Sequence, residues 1–258
     1  MKSLNFLFVI SVLQLTTLQA QDNSPKTSGT VTYTEKRSLE IKTEGLPQEI
    51  LDQLPKEMKN NTELIFNKQA SIYQTSEEKE INTKNQDIET SGSTRRISMN
   101  INKNKDICYI NFNNKISINK SNFMGKDFLI NDSVKNYFWK IKPDQKMILG
   151  YPCQKAVTEA DSSLIEAWFT PLINAPAGPA GYGGLPGLIL EVKNPKTREL
   201  ITATAVKTEE PKATLIAAPV DGKKVSSAQF KKIVEEKTKE LQQQFGGSGG
   251  NVIIKMSH

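Results

Sequence analysis

The chain has one histidine, His258, and it is the last residue. A Ser-His-Asp or Cys-His catalytic arrangement needs an internal, oriented imidazole, and a zinc site needs histidine or several cysteines. Neither fits this sequence, and there is no D-x-D-x-D-G loop to hold calcium. No metal or cofactor is therefore expected. Cysteines number only two, Cys108 and Cys153, and no C-x-x-C motif occurs. After Ala20 no apolar run approaches the about 20 residues that a spanning helix needs, so the chain is not expected to be integral to a membrane. Phosphate-gripping glycines are missing too. Gly181-x-Gly183 runs into Pro186 and then aliphatics, not into a helix, and no Gly-Lys-Ser/Thr follows. The "GGSGG" around Ser248 matches G-x-S-x-G, but that elbow needs a strand before the serine, and here a helical pattern precedes it.

What is present begins with the start of the chain. "MKSLNFLFVISVLQLTTLQA" has a positive Lys2, a short apolar core and a small residue, Ala20, before a polar stretch. This pattern reads as a secretory signal peptide over residues 1–20. No cysteine sits at the cleavage point, so the expected location is periplasmic or secreted without a lipid anchor. The formal charge is 34 − 28 = +6, and loss of Lys2 leaves +5. The lysines alternate with acids, as in "KKIVEEKTKE", which marks a solvated surface and not a nucleic-acid footprint. In an oxidising compartment an even cysteine count predicts a Cys108–Cys153 disulfide, contributing about 3–4 kcal/mol.

Period-2 alternation in "GTVTYTEKRSLEIK" predicts a strand. Leu46, Ile50, Leu51, Leu54 and Met58 fall at helical spacing, with Pro47 suited to a first turn. "ELIFNKQASIYQT" predicts a hairpin around Asn67-Lys68, and the charged stretch from Glu77 to Arg95 a long exposed loop. Short strands then follow one another: "RRISMNIN", "DICYINFNN", "KISINKSNF", "KDFLIND", "YFWKI", "KMILGYPCQKAVTEA", "LIEAWFTPLI", "LPGLILEVKN" and "ELITATAVKT". Turn residues such as "KPDQ" separate most of them, which implies an antiparallel meander. "SSAQFKKIVEEKTKELQQQF" predicts a helix capped by Ser226 or Ser227, with Phe230, Ile233, Val234, Lys237 and Leu241 on one face. The expected architecture is mostly β: a curved antiparallel sheet or half-barrel with few helices, one of them C-terminal. It occupies a single domain over 21–245, with 246–258 as a flexible tail.

Four of the fifteen glycines fall between Gly181 and Gly187. Their expected role is geometric, Gly183 and Gly184 taking conformations that a Cβ resists. "LPGLILEV" then enters a buried strand, with Leu188 and Leu190 on one face and Ile189 on the other. Trp139, Tyr151, Trp168 and Tyr182 are the candidate ligand or partner surface, against the plainer reading that such aromatics fill the core. Asp161, Glu166 and Glu191 are the carboxylates considered for paired acid–base chemistry.

At "GLPGLILEV" the sequence resembles the GLPGLI family of Bacteroidetes envelope proteins. The resemblance extends through "KDFLIND", "FWKI", "MILGYPCQKA", "AWFTP" and "ITATAV", over roughly Val31 to Val206. It implies an exported protein of a Gram-negative envelope, with Cys153 at the family's "GY-x-C" position, and carries over no catalytic residue. The rhythm from "EAWFTP" to "ITATAV" is also similar to LolA-like lipoprotein carriers, in which a half-barrel wraps over helices. Asp132-Ser133-Val134 resembles the Bacteroidetes O-glycosylation acceptor, which implies Ser133 as a modified residue.

Two functional readings follow. The first is a non-catalytic envelope protein binding an apolar ligand or an outer-membrane protein, and it requires an open apolar concavity under the sheet. The alternative is a glycan-binding accessory protein or a carboxylate-dependent hydrolase. It requires converging Asp and Glu and exposed aromatic platforms.

Overall fold

The computed structural model describes residues 26–38, 56–76, 87–90, 93–96, 106–160 and 162–245. The strands in chain order are β1 (Gly29–Ser38), β2 (Glu57–Phe66), β3 (Ala70–Thr75), β4 (Asp87–Thr90), β5 (Ser93–Arg96), β6 (Ile107–Asn111) and β7 (Ile116–Phe123). They continue with β8 (Lys126–Ser133), β9 (Lys140–Ile148), β10 (Tyr151–Ala160), β11 (Ser163–Thr170), β12 (Leu188–Asn194), β13 (Glu199–Lys207) and β14 (Lys223–Val225). One α-helix, α1 (Ser227–Phe245), closes the described chain. Twelve of the strands form one open, curved sheet in the order β14-β8-β7-β6-β3-β2-β1-β13-β12-β11-β10-β9.

That order joins two meanders. One comprises β1, β2, β3, β6, β7 and β8, with the β4–β5 hairpin a separate sheet, the other runs from β9 to β13, and they meet where β1 pairs antiparallel with β13. Within each meander most reversals take only two to four residues, which suffice to reverse an antiparallel strand, and the longer connections follow β1, β3 and β11. At the reversal between β2 and β3 Asn67 takes the turn, its side-chain oxygen accepting from the Gln69 and Ala70 N–H groups at 2.8 and 2.9 Å. The β1–β13 contact is different, since it pairs residues such as Arg37 and Glu199 that lie far apart in sequence.

The inner face of the sheet is filled by the chain itself. After β11 the segment 171–187 crosses over it, burying Ile173, Ala175, Ala177, Tyr182 and Leu185. Ile173, Ala175 and Ala177 pack with Val31, Tyr33, Leu64, Phe66, Leu188, Leu190 and Ile201. Tyr182 and Leu185 pack with Ile165, Phe169, Ile189 and Val192. Leu188 and Leu190 thus join one cluster and Ile189 another, as the alternation predicts, and all three are fully buried. The crossing is close enough to need glycine. Gly184 sits at φ +83°, and a Cβ on Gly183 would lie 2.6 Å from the Pro176 carbonyl oxygen. On the opposite side, the stretch from β13 to β14 covers Ile65, Ala70 and Ile72 with Ile216.

Helix α1 starts where expected. Ser226 Oγ accepts from the Gln229 N–H at 3.2 Å and Gln229 Oε1 accepts from the Ser226 N–H at 2.8 Å, a reciprocal cap. Phe230 and Ile233 pack on Phe123, Phe128, Ile130 and Val225. Among the described residues no helix is long and apolar enough to cross a membrane.

Several expectations change. "KMILGYPCQKAVTEA" is not one strand: Leu149 and Gly150 both hold positive φ, +50° and +80°, and make a two-residue reversal between β9 and β10. "KPDQ" is not the turn. It lies inside β9, at the sheet edge, where the pairing jumps from Gln154↔Gln145 to Ala156↔Ile141. Pro143 can sit there because an edge strand has no outer partner to donate to. The expected exposed loop over 77–95 contains the hairpin β4–β5. Met58 belongs to β2, not to a helix. The other helical positions around Ile50, the signal peptide, Ser248 and His258 lie outside the described residues.

Truncating Leu188 or Ile189 to Ala should cost about 2–5 kcal/mol in chemical denaturation. Leu164→Ala, on a side chain that is 54% exposed, should stay within about 0.5 kcal/mol of wild type. Equal losses at all three positions would contradict the packing described.

Candidate functional site

The cysteines do not pair. Both thiols are free. Cys108 is on β6 and Cys153 on β10, and the sheet order puts six strands between them. The even count could not reveal that separation. Burial pushes the thiols up, to about 12 for Cys108 and about 11 for Cys153, so both stay protonated. Native protein should accordingly yield two thiols to an alkylating reagent only after unfolding, read by intact mass.

The candidate aromatics separate into two groups. Trp168 lies under Lys146 and Lys155, whose Nζ atoms stand 4.4 and 6.0 Å from its ring centroid. With Tyr151 it packs against the larger core cluster. Lys146 also pairs with Glu191 at 2.7 Å, and Lys155 with Glu166 at 3.0 Å. Those two carboxylates are thus neutralised separately rather than brought together, and Asp161 lies outside the described residues. Trp139 and Tyr182 do meet, on either side of Tyr137, with centroids 5.5 and 5.3 Å from it. The Trp139 indole N–H donates to the Gly183 carbonyl at 2.9 Å, and the Asn194 amide donates to the Tyr182 hydroxyl at 3.0 Å. Ser133 is exposed at the end of β8, beside Asp132. The Ser227 hydroxyl, followed by the Ser133 N–H, holds Asp132 below its ordinary value.

The carboxylates that converge are different ones, Glu35 and Glu199. Glu35 and Arg37 share a face of β1 by the period of two, and β13 sets Glu199 directly opposite Arg37. Arg37 Nη2 donates to Glu199 Oε1 at 2.8 Å and reaches Glu35 Oε1 at 3.5 Å. The Tyr73 hydroxyl donates to Glu35 Oε2 at 3.3 Å and is 2.7 Å from Thr62 Oγ1. The side chains of Glu35 and Glu199 are 15% and 9% exposed. Burial, then the hydrogen bond to Glu199 and the Glu199 charge, raise Glu35 from 4.5 to about 7. Such a pair holds a proton near neutrality and can give it up or take it back.

These observations bear on both functional readings. The apolar face required by the first is covered, among the described residues, by Ile173, Ala175, Ala177, Tyr182 and Leu185. Converging acids, required by the alternative, are present at Glu35 and Glu199. So is an exposed aromatic, because Phe138 is 80% exposed.

Comparison with known families speaks against the first. Residues 55–231 match the model for the N-glycanase peptide, N-terminal domain. The chain belongs to that family. Its fold is similar to that of PNGF-II, solved in two crystal forms, with TM-scores of 0.52 and 0.51 at 16% and 18% identity. Each superposition covers 81% of this chain and 33% of the other, so the chain spans about a third of the length of those structures. No curated protein matches the sequence.

The resemblance to the GLPGLI family is overturned by this match. The motif that carried it is explained by its geometry, a glycine-bearing crossing followed by a buried strand. The non-catalytic envelope reading is overturned as well, since the family is that of the N-glycanase peptide, N-terminal domain. The reason it failed is specific. Lack of an internal histidine excludes imidazole chemistry but not carboxylate chemistry, and the only carboxylates weighed were neighbours in the second meander.

The proton on Glu35 ties stability to pH. The folded state raises this group, so its contribution is fully present below about pH 4.5 and is lost as pH rises through 7. Wild type should lose up to about 3 kcal/mol between pH 5 and pH 8.5. Glu35→Gln, neutral throughout, should flatten that loss in urea melts at the two pH values. An identical slope in both proteins would refute the assignment.

Proposed function

We propose that this chain is a glycan-directed domain that engages N-linked glycoproteins in the service of N-glycanase activity. The observation that carries the reading is the family match over residues 55–231. The PNGF-II fold supports it independently. The charged start, the short apolar run and Ala20 support export, which brings the chain to the compartment where glycoproteins are met.

The domain's construction suits such a role. Among the described residues the crossing segment covers its inner face, which favours recognition by rims and connecting segments held on the sheet. A glycan is a polar, hydrated ligand and needs surface platforms more than a deep apolar pocket.

Biolayer interferometry against a glycoprotein carrying a high-mannose N-glycan should show binding at least ten-fold tighter than against the same protein stripped of its glycan. Equal binding to both forms, together with no glycan release detected by mass spectrometry, would sink the proposal.

A further inference from the structure

The connection from β8 to β9, residues 134–139, carries Tyr137, Phe138 and Trp139 in succession. Its backbone makes a tight turn: the Trp139 N–H donates to the Tyr137 carbonyl at 3.1 Å, which puts Phe138 at the apex of a three-residue turn. The rings on either side are fixed. Trp139 is tied to the Gly183 carbonyl, Tyr137 lies between Trp139 and Tyr182, and Tyr182 is tied to Asn194. Lys135 Nζ stands 5.2 Å from the Tyr137 ring centroid. Of these three rings Phe138 alone is turned outward, 80% exposed.

An aromatic held at an apex by two anchored neighbours is presented in advance of binding, which cuts the ordering cost of a contact. We propose that Phe138, backed by the Tyr137–Trp139–Tyr182 stack, is a stacking platform for one pyranose ring of an N-glycan. This rests on the glycan-directed reading above and names its site.

The size of the surface selects the occupant. A fully covered aromatic side chain contributes about 150–250 Å², whereas a stable protein interface needs about 800 Å² on each side. Phe138 falls well short of that and matches the C–H face of one sugar ring. The flanking residues suit the same ligand. Asn136, Lys135 and Lys140 are exposed around the apex, and their amide and ammonium groups can donate to sugar hydroxyls.

The test uses the full chain and two probes, a high-mannose N-glycopeptide and the identical peptide without its glycan, followed by calorimetry and saturation-transfer NMR. Phe138→Ala should weaken glycopeptide binding at least ten-fold, and Phe138→Trp should restore it. Saturation should fall on the C–H protons of a sugar ring. Since Phe138 is exposed, the melting temperature of both variants should equal that of wild type. Wild type that binds the glycopeptide as tightly as Phe138→Ala overturns the platform and leaves the glycan-directed reading standing. A Phe138→Ala loss shared equally by the glycan-free peptide would make the apex a protein-docking point instead, and also overturns it. Wild type that binds neither probe overturns the broader reading, and the platform with it.

Discussion

Strands β1 and β13 meet over residues 30–37 and 199–207, and among the described residues no other strand pairing joins the sheet's two halves. The residues along this seam do more than pair backbones. Tyr33 reaches across to donate its hydroxyl to the Ile189 carbonyl at 2.7 Å, while the Ile189 N–H donates to Ala177 at 3.0 Å. Ile189 is therefore held from the first meander on one side and from the crossing segment on the other. At the far end of the same strand Arg37 bonds Glu199, closing the seam with charge where Tyr33 closes it with an aromatic ring.

Because the seam is fixed, the crossing segment has a defined floor to lie on. Its carbonyls at Ile173 and Ala177 take the Leu188 and Ile189 N–H groups that would otherwise be buried without partners. Irregular backbone can run through a core only under such terms. The glycines at 183 and 184 follow from the closeness of the approach, and the aliphatics of "GLIL" from burial on every side. One arrangement thus explains a motif that looks, in the bare sequence, like a signature of function.

The strands were legible wherever alternation and turn residues agreed, as in β1, β6 to β8 and β11 to β13. They were misjudged where a proline implied a turn. Pro143 sits in an edge strand, and the actual reversal used Leu149 and Gly150, of which only the glycine carries a signal. The three-residue β14 was invisible because its parallel pairing with β8 depends on the chain passing from β13 across the first meander to its far edge. The candidate site was legible in part. Trp139 and Tyr182 were among the aromatics singled out, since aromatic residues declare themselves. Glu35 and Glu199 were not, because each looks like an ordinary solvent-face acid until the register places them together. Likewise the disulfide was inferred from a count, which holds no information on strand order.

The edge at β9 has a consequence for how such a domain can be combined with others. A twelve-stranded open sheet has two unpaired margins, and a flat margin recruits further strands from any chain nearby. Here one margin is only three residues long and carries Lys223 and Lys224. The other is broken by Pro143, lined with Lys140, Lys142 and Lys146, and distorted where Gln154 bonds the Lys142 carbonyl in place of a ladder partner. Both margins thus terminate the sheet. A fold built this way can be appended to unrelated polypeptide, or secreted into a crowded space, without its hydrogen-bonding pattern propagating into its neighbours.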